Sequence, residues 1–97
     1  MIACVLIGTP SSMSPPYAAP VASFIPGDQE ISQFTVVDFE DTSTGFPTSW
    51  QWQINGSTFS INQNPVYYFS NPGYYSIVLV ASNSYGADSE THTIHVV

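Results

Sequence analysis

Asn64-Pro-Val-Tyr-Tyr-Phe-Ser-Asn-Pro-Gly-Tyr-Tyr-Ser-Ile-Val-Leu-Val-Ala-Ser-Asn-Ser-Tyr-Gly86 decides the fold. It reads as two β-strands joined as a hairpin through Ser70-Asn71-Pro72-Gly73, where proline presets φ and glycine accepts positive φ. Period-2 alternation divides the stretch in two. Tyr67, Phe69, Tyr75, Ile77 and Leu79 fall in one phase and are assigned to the core. Val66, Tyr68, Tyr74, Val78 and Val80 fall in the other, where a solvated strand would carry polar side chains. An apolar patch of that kind on a sheet surface marks an interface, so these five are the expected protein contact.

Outward from this stretch the chain keeps strand character. Val21–Phe24 is a short strand, followed by Pro26-Gly27 and an acidic loop holding Asp28 and Glu30. Phe34–Asp41 is a second strand with Thr35, Val37 and Phe39 facing in and Val36, Asp38 and Glu40 facing out. Trp50, Trp52 and Ile54 alternate with Gln51 and Gln53, and Asn55-Gly56 is a strong hairpin signal. A weak strand over 57–61 precedes the opening stretch, and Ala87–Val97 closes the chain with Ile94 and Val96 in core phase. About seven short strands with turn signals between them, and no helical period, give an all-β antiparallel sandwich.

The first twenty residues are different. Met1–Gly8 is apolar and β-prone but too short to span a bilayer, and no positive charge precedes it as in a signal peptide. Pro10, Pro15, Pro16 and Pro20 make the following stretch extended and semi-rigid. Residues 1–20 are therefore an N-terminal arm, 21–97 the domain, and Ile2, Val5, Leu6 and Ile7 are the arm's expected contacts with a neighbouring sheet edge.

The 97 residues hold no Lys or Arg and seven Asp plus Glu, for a formal charge of −7. That excludes nucleic-acid binding by phosphate neutralisation and attraction to an anionic membrane. Salt bridges are limited to those of a protonated histidine or the amino terminus. Cys4 is alone, so there is no intrachain disulfide, and its place in the arm suits a packed apolar residue better than a nucleophile.

No catalytic set of nucleophile, base and orienting group is present, so the expectation is a non-enzyme. Asp38, Glu40 and Asp41 read as a solvated face plus a turn-capping aspartate. His92 and His95 point to opposite faces of one strand and cannot share an ion. Asp28 with Glu30, or Asp88 with Glu90, offer oxygens for calcium, but no Asp-x-Asp-x-Asp loop accompanies them. No metal and no cofactor are expected. Asn55-Gly56-Ser57 is formally a glycosylation sequon whose turn role already explains it.

Five segments, in order, resemble a PKD domain. They are Val37-Asp38-Phe39-Glu40-Asp41-Thr42-Ser43-Thr44-Gly45, Pro47-Thr48-Ser49-Trp50-Gln51-Trp52, Asn64-Pro65-Val66-Tyr67-Tyr68-Phe69, Pro72-Gly73-Tyr74-Tyr75-Ser76-Ile77-Val78-Leu79 and Asn83-Ser84-Tyr85-Gly86. One departure stands out. Where the family reads Trp-Asp-Phe-Gly-Asp-Gly, this chain has Trp52-Gln53-Ile54-Asn55-Gly56, without either aspartate. The resemblance implies an immunoglobulin-like β-sandwich, with Trp52 in its core, used as a non-catalytic module on cell surfaces, in secreted hydrolases or in adhesive and virion proteins.

Arm and patch together point to a structural subunit whose partners are copies of itself or a larger scaffold. Its most specific form is a virion capsid decoration protein, since a chain starting at Met1 without a convincing signal peptide need not be secreted. An extracellular filament or surface-layer subunit is the next reading. A carbohydrate-associated PKD module of a secreted hydrolase, stacking sugars on Trp50, Tyr68 and Tyr74, is the reading of a different class.

Overall fold

The computed structural model describes residues 18–97. Among these residues nine strands build two layers. They are β1 (Phe24–Ile25), β2 (Gln29–Ile31), β3 (Thr35–Asp38), β4 (Glu40–Asp41), β5 (Ser49–Ile54), β6 (Ser57–Ser60), β7 (Val66–Phe69), β8 (Gly73–Asn83) and β9 (Gly86–Val96). The larger layer is a five-stranded sheet in the order β2-β9-β8-β5-β6. The smaller consists of the ladders β1-β4 and β3-β7, which share the run Thr35–Asp41. Counting that run once, and β1 with β2 as one strand that changes layer, recovers the seven expected strands.

The alternation read from the sequence holds strand by strand. Phe39, Trp52, Phe69, Ile77 and Leu79 are buried, with Phe24, Val37, Ile94 and Val96 beside them. Tyr67 and Tyr75 pack against this cluster half-buried. Aromatic rings run through it edge to face, which suits their quadrupoles. Phe24 meets Trp52 at 5.0 Å, Tyr67 meets Phe69 at 4.8 Å, and Phe69 meets Tyr75 at 5.1 Å. The Trp52 indole N–H, buried by this packing, donates to the Asn62 carbonyl at 2.9 Å. At Asn55-Gly56 both residues have positive φ, 49° and 87°, so Ile54 and Ser57 pair directly across a two-residue turn.

Two expectations fail. The stretch Asn64–Gly86 is not a hairpin. β7 pairs with β3, whereas β8 lies between β9 and β5, so Ser70-Asn71-Pro72 carries the chain from one layer to the other. Phe69 and Tyr75 consequently face each other across the core. Period 2 is the same for a hairpin and for an arch between layers, which is why the pattern does not separate them. The acidic loop after Pro26-Gly27 is also partly a strand. Gln29, Glu30 and Ile31 pair in parallel with Ile94, His95 and Val96. With three residues and one apolar side chain, β2 carries almost no period to read.

Residues 18–20, just before the domain boundary expected at residue 21, also pack on the sandwich. Pro20 is buried, and Asn83 Nδ2 donates to the carbonyls of Ala18 and Gly45. Gly45, at φ 86°, has no room for a side chain, because a Cβ there would stand 2.9 Å from Pro20 Cα. The expected arm contacts Ile2, Val5, Leu6 and Ile7, and Cys4, lie outside the described residues.

Candidate functional site

The layer arrangement divides the expected interface. Val66 and Tyr68 stand on β7, on the outer face of the smaller layer, 60% and 54% exposed. Their cross-strand partners are Asp38 and Val36, and Val36 is 57% exposed. Tyr74, Val78 and Val80 stand on β8, on the outer face of the five-stranded sheet, which points the opposite way. The five residues are therefore not one patch. The cause is the arch at Ser70–Pro72, which sends the second strand into the other layer.

The β8 residues are also less available than their side chains suggest. Val78 lies between Gln53 and Thr91, and Val80 between Gln51 and Ser89; both are half-buried. Tyr74, at 70% exposure, lies flat on the His95 ring with centroids 4.0 Å apart and planes 6° apart. His95 Nδ1 is 3.2 Å from Glu30 Oε2. Of the outward valines and tyrosines on these strands, Val36, Val66 and Tyr68 lie more than half exposed together on the smaller layer, and Tyr74 does so by itself at the end of β8.

The three aromatics of the sugar-stacking reading do not converge either. Trp50 is turned inward against the core, and its indole N–H donates to Asp41 Oδ2 at 2.9 Å. Tyr68 and Tyr74 face opposite directions.

The polar residues have mostly structural work. Asp41 Oδ1 accepts from Ser43 N at 3.0 Å, as the capping reading expects, and Oδ2 also accepts from Gln63 Nε2 at 3.0 Å. Its own N–H donates to Asn64 Oδ1 at 2.8 Å. Partial burial pushes this carboxyl upward, but the hydrogen bonds from Ser43, Gln63 and Trp50 outweigh it and hold it below its ordinary value. Asp38 and Glu40 are exposed, as expected.

Asp88 and Glu90 were open to a calcium reading, and the structure gives them a different role. Asp88 Oδ2 accepts from Ala22 N at 2.8 Å and Glu90 Oε2 from Phe24 N at 3.3 Å. They cap the outer backbone edge of β1. Nothing in the sequence signals this, because it depends on which strand lies opposite. The two histidines do point to opposite faces. His92 packs on Phe24, with Nε2 2.9 Å from Glu90 Oε2 and Nδ1 3.5 Å from Asp28 Oδ1. Among the described residues no group of three or more His, Cys, Asp or Glu is placed to hold a metal ion.

The family model described as PKD domain matches residues 17–97. The PKD1 domain of the Vibrio cholerae metalloprotease PrtV is 29% identical, with a TM-score of 0.62 over 80% of this chain and 96% of that one. Titin M4 is 17% identical, with a TM-score of 0.60 over 82% of this chain and 97% of its own. The N-terminal four Ig domains of Dscam1 isoform 4.44 give 15% identity and a TM-score of 0.65, over 82% of this chain and 21% of theirs. The last two, at such identity, speak for the immunoglobulin-like fold alone. No curated protein matches. The expected segments, the sandwich they form and the family match agree over the whole described domain, and the chain belongs to the PKD domain family.

Proposed function

We propose that this chain is a non-catalytic protein-contact module of an extracellular protein. A PKD domain is itself non-catalytic, even where it forms part of an enzyme. The likeness to a domain of a Vibrio cholerae metalloprotease supports an accessory role beside a hydrolase better than a virion role, for which no relative named above speaks. The single observation that carries protein contact is the pair Val36 and Tyr68, directly opposite each other with Val66 alongside. All three are more than half exposed on one sheet face.

The test presents the immobilised full chain, and a Val36→Asp/Tyr68→Glu variant, to proteins secreted by its own source cells. Retention of a defined partner by the native chain, and its loss in the folded variant, supports the reading. Retention that ignores both substitutions overturns it. Isothermal titration against soluble and insoluble glycans belongs to the same test, and saturable sugar binding overturns it as well.

A further inference from the structure

β9 is paired along its whole length on one side only. Its register with β8 runs from Gly86↔Asn83 to Val96↔Gly73 without a shift, whereas β2 covers only Ile94–Val96 on the other side. Two hydrogen bonds fix which backbone groups face outward. The Ser82 carbonyl accepts from Thr48 N and the Ser76 carbonyl from Asn55 N, so β8 residues of this phase turn their backbone toward β5. Their partners on β9 are Ala87 and Thr93, which turn away from β8. Thr93 N–H accordingly donates to Asp28 Oδ1 at 2.8 Å.

Ala87, Ser89 and Thr91 share that phase and are exposed. Among the described residues nothing accepts from their N–H groups. The neighbouring edge of β1 is closed by Asp88 and Glu90, as described above, but this one has no proline, no bulge and no outward charge on Ala87, Ser89 or Thr91. An edge left open in this way is a template for another strand.

We propose that the edge Ala87–Thr91 receives residues 2–7 of a second copy of this chain. Ile2-Ala3-Cys4-Val5-Leu6-Ile7 is β-prone, free of proline and uncharged, and at ~3.3 Å per residue it is long enough to cover the open positions. Being uncharged, it avoids repulsion from Asp88 and Glu90, which an acidic strand of this protein would meet. The described chain starts beside the head of the same edge, with Ala18 held by Asn83 and Ala19 against Gly86. Residues 8–17 separate the two segments and include Pro10, Pro15 and Pro16. Extended at ~3.1 Å per residue they reach roughly 31 Å. A tether of that reach is long enough to carry residues 2–7 to the same edge of a neighbouring copy. The inference goes beyond the contact surface on the smaller layer and uses none of its residues.

Light scattering on the full chain is expected to give a mass above the 10.5 kDa monomer, rising with concentration. Ser89→Pro removes an outward N–H without touching the β8–β9 ladder, and Val5→Pro interrupts the donor; each is expected to return the monomer mass with an unchanged circular dichroism spectrum. Ser89→Cys and Thr91→Cys keep the test decisive if the proline unfolds β9. Cys4 is the chain's single cysteine, so an intermolecular disulfide under mild oxidation reports the pairing directly. A native chain that stays monomeric, association that ignores both prolines, or a Cys4 disulfide formed only within one chain overturns the proposal. The Val36→Asp/Tyr68→Glu variant is expected to associate as the native chain does, which keeps this result independent of the proposed contact face.

Discussion

The two outer faces of the sandwich carry the same alternation of valine and tyrosine, yet only on the smaller layer are the valines open. On β8 the valines have a strand on each side, and Gln51, Gln53, Ser89 and Thr91 flank them. On the smaller layer Val36 and Tyr68 flank only each other, because among the described residues no further strand follows β7 in that ladder. An apolar residue in outward phase is therefore not by itself a contact site. Its exposure depends on how many neighbours the sheet provides and how long their side chains are.

The difference rests on one core shared by both layers, and the largest expected effect tests that. Trp52→Ala empties the position where Phe24 and Phe39 from the smaller layer meet the larger sheet. It is expected to cost about 3–5 kcal/mol. Urea unfolding followed by fluorescence and by circular dichroism is expected to stay a single transition in the native chain. Two separated transitions would mean that the layers are independently stable and the comparison of their faces is between two units.

Asp41 ties the smaller layer to β5 and to the loop before β7, so its loss comes next. Asp41→Ala leaves the donors on Trp50, Gln63 and Ser43 without their acceptor and is expected to cost about 1–3 kcal/mol. The pH dependence has a definite sign. A carboxyl held lower in the folded than in the unfolded chain stabilises the fold fully above its unfolded value, near 3.9, and this contribution disappears as pH falls through the lower folded value. Thermal melts of the native chain are expected to fall below about pH 4, with a shallower acid limb in Asp41→Asn. Equal acid limbs would mean that Asp41 does not set the acid sensitivity.

Strand positions and core phase were legible because the run Thr35–Asp41 and strands β5, β7 and β8 carry several residues of alternation, and Asn55-Gly56 and the Trp50–Trp52 pair punctuate them. Layer assignment was not legible. Whether Ser70–Pro72 reverses the chain within a sheet or across the core depends on where β3 and β5 lie, and no residue in the turn reports that. β2 escaped for lack of length, and the capping roles of Asp88 and Glu90 escaped because their partners, Ala22 and Phe24, are remote in sequence. The candidate surface inherited the same weakness: parity named five residues, and the layers set Tyr74 apart on the other face, half-bury Val78 and Val80 between neighbours, and bring Val36 beside Val66 and Tyr68.

The smallest expected effect is the sharpest test of the two faces. Tyr68→Thr deletes an aromatic ring, whereas Val80→Thr exchanges one methyl for a hydroxyl. By size alone the tyrosine should matter more. The faces predict the reverse, because the Tyr68 ring is largely in water and Val80 is half-buried between Gln51 and Ser89. Tyr68→Thr is expected to stay within about 0.5 kcal/mol of the native chain, and Val80→Thr to cost roughly 0.5–1 kcal/mol through desolvation of its hydroxyl. Urea midpoints for the pair decide it. A cost above about 1 kcal/mol for Tyr68→Thr would make that ring a packed part of the monomer, and the smaller layer would then have no more claim to a partner than the larger one.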